Sequence, residues 1–583
     1  MARQTSTLLW CSFLLVIFSH QLQGADRLVP TSYPTISAAM DAALNGDRIL
    51  VAPGTYPGPV GYLGKQVELI GEEGPSVTFL DGSGVLDSIV LIDSVGDGAR
   101  LSGFTLQNGF GTSCGLPLAI CGGAVLVTEG QPTIDNCVFS GNSASRGGGV
   151  HAENSSLTMV DCLFVDNFAN QGAAVSLKGG NSTISGCVFS GNNSYGWGGG
   201  LAADFSWVTL SNCSFSSNTA ESGGGFFITE STAFLSDLTI EGNSAVDAGG
   251  GGVIDEFSDA DLNNVEILNN SARLGGGLAV THFCDVNVEG CLIQGNTASE
   301  YGGGLYSFEN FSTYRRNRIL DNSAGLKGGG ALLRLFADPL LENCLIMGND
   351  AAVAGGGVAC IEGVSARLVH CTLDSNTTAG SGGGISAENL STPVLTNTIL
   401  SRNAAAIGSQ THDGFQSGYL FNHVVIQDGD VVDPLVLLLD ADLDDEGYPG
   451  ICSAAIDEGT VLAADLPDVD IDGTVRPLGS RRDIGAFEVE GYGHCFVRGD
   501  CNYSGDIDLA DAIMSLEYLF TFGDVPFCVE ACDYVGDGVV GIEDSISTLS
   551  YLFLAGPPPG APYPLPGPAT DGSVVESCWM LGV

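Results

Sequence analysis

One short phrase returns along the middle of this chain and limits the folds open to it. It reads NCVFSGNSASRGGGV from Asn136, NCSFSSNTAESGGGF from Asn212, GCLIQGNTASEYGGGL from Gly290 and HCTLDSNTTAGSGGGI from His370. Its Asn recurs at Asn142, Asn167, Asn192, Asn218, Asn243, Asn270, Asn296, Asn322, Asn349, Asn376 and Asn403, always 25, 26 or 27 residues apart. A fixed period of this size means a solenoid, in which each repeat buries its apolar face on the next.

The pattern inside each repeat selects the type of solenoid. In VTLSNCSF, Val208 and Leu210 alternate with polar residues, and Cys213 and Phe215 then alternate in the opposite phase. Strand side chains point inward at every second residue, so the phase slip at Ser211-Asn212 marks a bend between two short strands. A third strand follows the Gly run, as in GGGLAA from Gly198. Three strands per turn predict a mainly β parallel β-helix. No LxxLxLxxN phrase recurs, and the β-branched, Gly-rich texture opposes helical repeats. With ~4.8 Å between stacked strands, eleven coils make a rod of about 50 Å, with further coils on the N-terminal side.

Residues 1–25 hold one arginine, Arg3, then the apolar run LLWCSFLLVIF, and end on small residues. The run is too short to span a bilayer and reads as a secretory signal, so an exported bacterial protein, secreted or at the cell surface, is expected, with no transmembrane anchor. A net charge of −49 opposes nucleic acid and anionic membranes as partners and favours divalent cations or cationic polymers. The 84 glycines are placed periodically, as in a folded protein.

From Tyr33, YPTISAAMDAALNGDRILVAPGTY places Ile36, Ala39, Met40 and Ala43 on one helical face, with a strand after Gly46. This stretch resembles the opening of the right-handed parallel β-helix (pectin-lyase-like) superfamily, which implies a helix capping the first coil. The superfamily includes lyases, hydrolases and adhesins, so the resemblance implies a fold more than a chemistry. Residues 26–425 are read as the capped β-helix and 426–490 as its C-terminal cap. There Ser453, Ala455-Ile456-Asp457 and Gly459, then Asp483-Ile484-Gly485-Ala486-Phe487-Glu488, resemble a module that follows β-helices in bacterial secreted proteins.

Three columns of the repeat invite a role. The Asn column is read as structural, with amides bonding from coil to coil and tolerating left-handed bends. Cys137, Cys162, Cys187, Cys213, Cys291, Cys344 and Cys371 share one inward position and are expected as buried thiols, since sulfurs spread along a rod do not converge on a metal. Glu153, Asp204, Glu230, Glu256, Glu309, Glu362 and Glu388 follow the Gly run by four or five residues. They are a solvated bend or a cation-binding strip, and His282 takes the place after Glu256.

Catalytic residues of the superfamily are harder to find. Lys and Arg number 19, no Gly-His-Gly phrase occurs, and the one basic cluster in the repeats is Arg315, Arg316 and Arg318. An acid pair for glycoside hydrolysis can be drawn from Asp255, Glu256, Asp259 and Asp261. The favoured reading is a non-catalytic surface, scaffold or adhesion protein with a polysaccharide as candidate ligand of its face. The alternative is a polysaccharide lyase or glycoside hydrolase.

Residues 491–583 form a further domain. DCNYSGDIDLAD from Asp500 has oxygen-bearing residues at positions 1, 3, 5, 9 and 12 of a calcium loop, and Gly505 at position 6. DYVGDGVVGIED from Asp533 repeats it, and the helical stretches AIMSLEYLF and SISTLSYLFL follow the two loops. The duplicated unit resembles a dockerin, a small α-helical module of paired EF-hand-type loop-helix units. The resemblance implies calcium held by Asp500, Asn502, Ser504, Asp508 and Asp511, and by Asp533, Asp537 and Asp544. It also implies a cohesin-like or cell-envelope partner. Val535 and Gly541 supply no side-chain ligand in the second loop. Leu509-Ala510 and Ile542-Glu543 stand where many cellulosomal dockerins carry Ser-Thr.

Overall fold

A computed structural model describes residues 24–114, 119–427, 435–439, 441–450, 453–460, 466–490, 496–502, 504, 506–521, 526 and 528–563. The expected signal segment therefore lies almost wholly outside the described residues. Among those described, no helix is long and apolar enough to cross a membrane.

One coil shows how the repeat folds. Strand Leu201–Asp204 belongs to a 14-stranded sheet, strands Trp207–Ser211 and Ser214–Ser216 to a 30-stranded sheet, and strand Thr219–Ala220 to a 9-stranded sheet. Each strand pairs in parallel with its counterparts one coil away, as Trp207–Ser211 does with Asn181–Ser185 and Thr232–Ser236. The chain is thus a parallel β-solenoid, with four short segments per coil where three were expected. The largest sheet takes two segments of each coil and bends between them. That bend falls where the phase slips, with Asn212 in the left-handed region at φ 53°.

The inward phase follows the alternation: Val208, Leu210, Cys213 and Phe215 are all buried. Phe139, Phe164, Phe189 and Phe215 stack face to face along the axis, with ring centroids 4.5, 5.1 and 4.4 Å apart. The seven cysteines of the repeat column are buried free thiols, as are Cys284 and Cys360. Burial pushes the Cys137 thiol up to about 12, so these sulfurs behave as small apolar fillers. Disulfides join Cys114 to Cys121 and Cys501 to Cys532.

The recurring Asn forms a continuous buried ladder. Asn243 accepts at Oδ1 from the Asn218 backbone N–H and Nδ2, both at 2.9 Å. Its own Nδ2 donates to the Phe215 carbonyl at 2.9 Å and to Asn270 Oδ1 at 3.0 Å. The pattern runs unbroken from Asn142 to Asn403. It begins with the Gly109 N–H on Asn142 Oδ1 and ends with Asn403 Nδ2 on Gln410 Oε1. These asparagines are not left-handed; the residue before each one is, as at Ser217 (φ 55°) and Gly242 (φ 63°). The Gly run is needed for close approach. A Cβ on Gly200 would lie 2.6 Å from the Gly225 carbonyl oxygen and 2.7 Å from the Phe215 ring.

At the N-terminal end, helix Ile36–Ala42 starts at Thr35, whose side chain accepts the Ala38 N–H, and it buries Ile36, Ala39 and Met40. Residues 441–490 do not simply follow the last coil. The described residues among them fold back along the preceding coils, where Phe487, Ala486 and Ile471 pack on Leu345, and Ile484 packs with Ile399 and Val425. The Gly485 N–H reaches the Asn397 carbonyl at 2.8 Å, and buried Arg476 pairs with Glu488 at 2.8 Å. The Asp-Ile-Gly-Ala-Phe-Glu phrase is therefore a hydrogen-bonded knot that holds this segment against the coils.

In the C-terminal domain, helices Leu509–Phe520 and Ile542–Leu554 meet through a small polar seam, with Ser515 Oγ 2.6 Å from Ser545 Oγ. The apolar residues Ile513 and Phe520 of the first helix are exposed.

Replacing Asn243 with Ala strands the Asn218 donors inside the rod. The variant should lose about 3 kcal/mol in denaturant unfolding, whereas Thr219→Ala on the exposed neighbouring position should stay within about 0.5 kcal/mol. Equal midpoints for the two variants would remove the ladder's role in stability.

Candidate functional site

Outward side chains of the 30-stranded sheet form a concave face on the rod. Thr232 and Phe234 of one strand stand beside Asp259 and Asp261 of the next, then Asp285 and Asn287, then Thr313 and Arg315. Together they line a groove of about 420 Å³. Asp259 and Asp285 are register partners on adjacent strands. Arg315 is turned toward Asn287 Oδ1 (3.4 Å) and Glu342 (3.5 Å). Among the described residues, none of Asp259, Asp261 and Asp285 has an ion-pair partner or a donor to its carboxylate.

Of the four acids singled out in the sequence, the groove takes Asp259 and Asp261. Asp255 lies on the 14-stranded sheet, accepting from Thr281 Oγ1 at 2.6 Å with His282 Nδ1 also at 2.6 Å. Asp285 and Phe234 were missed. The signal was present: Asp285-x-Asn287 repeats Asp259-x-Asp261 one coil later.

The expected acidic strip is two columns. Register pairs Asp204 with Thr229 and Thr229 with Asp255, so Glu230 and Glu256 belong one position further on. Three of its seven carboxylates are also neutralised. Lys178 pairs with Glu153 (2.9 Å), Arg334 with Glu362 (2.8 Å) and Lys327 with Glu388 (2.5 Å). Glu230 keeps like-charged neighbours: desolvation and the Glu256 and Asp204 charges raise its pKa.

The basic cluster disperses too, with Arg316 on Glu289 and Arg318 on Asp472. His370 sits in a left-handed bend at φ 50°, buried, with Nε2 3.0 Å from Asn397 Nδ2. Burial and the Arg476 and Arg482 charges keep it neutral. His151 is likewise buried, and desolvation lowers it to about 4. Neither is placed for acid–base catalysis.

In the C-terminal domain the first loop closes on Asp511. Its two oxygens accept the Asn502 N–H at 3.0 Å and the Asp508 N–H at 2.7 Å. Asp500 Oδ1 and Asn502 Oδ1 both accept the Ser504 N–H, at 2.8 and 3.0 Å. The second loop repeats this closure, with Asp544 accepting the Val535 N–H at 2.9 Å and the Gly541 N–H at 2.8 Å. Asp533 accepts from Gly536, Asp537 and Gly538. Burial, then the nearby carboxylates, raises the pKa of both Asp511 and Asp544. In the second loop Arg498 Nη1 also lies 3.2 Å from Asp533 Oδ2. Among the described residues no group of three or more His, Cys, Asp or Glu converges as a metal site. The Asn502 and Ser504 oxygens lie outside such a count, and Gly505 lies outside the described residues.

A family model described as right handed beta helix region matches residues 122–291 and 253–422, together more than half of the chain. No curated protein matches the sequence. Among solved structures, pectate lyase Pel9A is 14% identical over 78% of this chain and 91% of its own, with a TM-score of 0.26. The catalytic domain of a GH87 alpha-1,3-glucanase is 11% identical over 68% of each chain, at 0.32. PfbA, a surface adhesin of Streptococcus pneumoniae, is 10% identical over 63% of this chain and 88% of its own, at 0.29. No likeness at this level bears on function.

Replacing Glu230 with Gln removes an ionised group that repels its neighbours. A carboxyl with a raised pKa costs stability as pH rises through that value, so the variant should melt slightly higher than the parent at pH 7 in low salt. The gain should disappear in 1 M salt, where the screening length falls to about 3 Å. A difference that persists in high salt would assign it to packing.

Proposed function

Because the chain belongs to the right-handed β-helix family, we propose that it is an exported, non-catalytic surface or scaffold protein. Its rod presents a long face to polysaccharide, and its C-terminal domain is a dockerin-like, calcium-binding tether to a cohesin-like or cell-envelope partner. Helix Ile36–Ala42 and residues 426–490 serve as the caps of the rod.

The observation that carries the tether is the repetition of one loop-helix design at an offset of 33 residues. Asp500 and Asp533, Asp511 and Asp544, and the helices that follow them occupy equivalent places. Exposed apolar residues repeat at the same offset: Leu509 with Ile542, Ile513 with Ile546 and Phe520 with Phe553. A small domain that leaves this much apolar surface in water has a partner for it.

Calcium suits the first loop on the chemistry of its donors. Asp500, Asn502, Ser504, Asp508 and Asp511 offer five oxygen-bearing side chains, three of them carboxylates. When bound, the ion supplies charge neutralisation and holds the loop, and its binding energy becomes folding energy. The second loop suits it less well. Asp533, Asp537 and Asp544 are the only side-chain candidates, and the Arg498 guanidinium already neutralises Asp533.

The enzymatic reading has one observation in its favour, the groove with Asp259, Asp261 and Asp285 near Arg315. Against it stand the engagement of Arg315 by Glu342 and the neutral, buried state of His151 and His370. Incubating the full chain with a panel of polysaccharides, with and without calcium, should yield no new reducing or unsaturated ends. Turnover of any one overturns the non-catalytic assignment.

Calorimetric titration of the full-length chain with calcium should give one tight and one weak event. Asp500→Ala should abolish the tight event, and Asp533→Ala should leave it intact. Two equal events, no binding, or loss of the tight event in the Asp533 variant would overturn the assignment.

A further inference from the structure

The rod carries a row of exposed aromatic residues beside the acidic groove. Phe205, Phe257, Phe283 and Phe336 lie at the bends between the 14-stranded and 30-stranded sheets and are between 53% and 70% exposed. All four have positive φ, from 49° to 60°. A bulky residue in the left-handed region is strained, and glycine or asparagine fits there at lower cost, as Gly179 and Asn154 do in neighbouring coils. Backbone strain that holds large apolar groups out in water is a signature of a binding surface. Phe257 and Phe283 stack at 5.7 Å, and each stands two residues before a groove carboxylate, Asp259 and Asp285 respectively. Phe205 stands two residues before Trp207, itself 60% exposed.

We infer that this aromatic edge and the groove beside it bind a linear polysaccharide whose sugars carry free amino groups, that is, a glucosamine polymer. The inference rests on the polysaccharide-presenting reading above and names its ligand class. Three features select the class. Flat aromatic rings on adjacent coils at Phe257 and Phe283, with Phe205 and Phe336 two coils away on either side, offer apolar surface to the apolar faces of pyranose rings. Asp259, Asp261 and Asp285 have no cationic partner among the described residues, whereas Glu153, Glu362 and Glu388 of the neighbouring columns do. Like charges on register partners repel, and an ammonium group between them converts that repulsion to attraction. Finally, Arg315 is held by Glu342 and Asn287, so no free cation in the groove awaits a uronate carboxylate. The net charge of −49 further disfavours polyanionic sugars.

The test uses the full-length chain and three hexamers: glucosamine, N-acetylglucosamine and galacturonate. Glucosamine hexamer should bind at pH 6, where its amines are charged, at least tenfold more tightly than either other sugar. Phe257→Ser with Phe283→Ser, and separately Asp259→Asn with Asp285→Asn, should each weaken it at least tenfold, while thermal unfolding shows that both variants remain folded. Asp445→Asn with Glu446→Gln removes the same charge elsewhere and should change nothing. Equal loss in that control would mean general attraction to an acidic protein and would overturn the site. Binding of galacturonate or N-acetylglucosamine in preference would overturn the amino-sugar assignment and leave the broader polysaccharide reading standing. Failure of all three to bind would remove both.

Discussion

The structure depends on one buried amide that repeats along the axis. Each ladder asparagine uses its oxygen to satisfy two donors of the coil before it and its nitrogen to satisfy two acceptors on neighbouring coils. The coil interior offers no water, so those groups have no alternative partner. The ladder therefore sets the period. A coil can gain or lose a residue at a bend, and the steps of 25 to 27 residues show that it does, but the next asparagine must return to the same column. The phenylalanine stack and the thiol column inherit their registration from that requirement. They fill the space that the ladder keeps constant.

A parallel solenoid with a dry interior exports its chemical variety to the bends and outer faces. There the charges are handled in two ways. Along the 14-stranded sheet and its bend, Glu153, Glu362, Glu388 and Asp255 meet Lys178, Arg334, Lys327 and His282, contacts worth little stability at exposed positions, while Glu230 keeps like-charged neighbours. In the groove of the 30-stranded sheet the carboxylates remain uncompensated and aromatic rings stand beside them.

Much of this was legible in the sequence because the relevant signals have short periods. Alternation at Val208, Leu210, Cys213 and Phe215 named the inward face, and the spacing of the asparagines named the solenoid. What resisted reading were features that a one-residue difference controls. Four and five residues after a Gly run looked like one acidic column, yet Asp204 and Glu230 fall in different columns because side chains one residue apart occupy different places on a strand and its bend. The coil holding Asp255, Glu256 and Phe257 has one more residue in its bend than the coil holding Asp204 and Phe205. The fold-back of residues 441–490 onto Leu345 and Ile399 depends on contacts more than 60 residues apart, which no local pattern reports.

The C-terminal domain shows the same lesson in reverse. Its duplication was plain in the sequence, but which side of each helix packs on the other was not. The helices meet through Ser515 and Ser545, and the apolar stripe of each faces outward. A pair of helices can leave its apolar residues outside only if something else holds the pair together. Here the loops do so: Asp511 and Asp544 each pin two backbone N–H groups of their own loop, and the Cys501–Cys532 disulfide joins the start of one loop to the residue before the other. Cross-linking and loop closure replace a hydrophobic core in so small a domain. That substitution leaves Ile513, Phe520, Ile546 and Phe553 available for a partner. The symmetry between the halves is broken where Arg498 reaches Asp533.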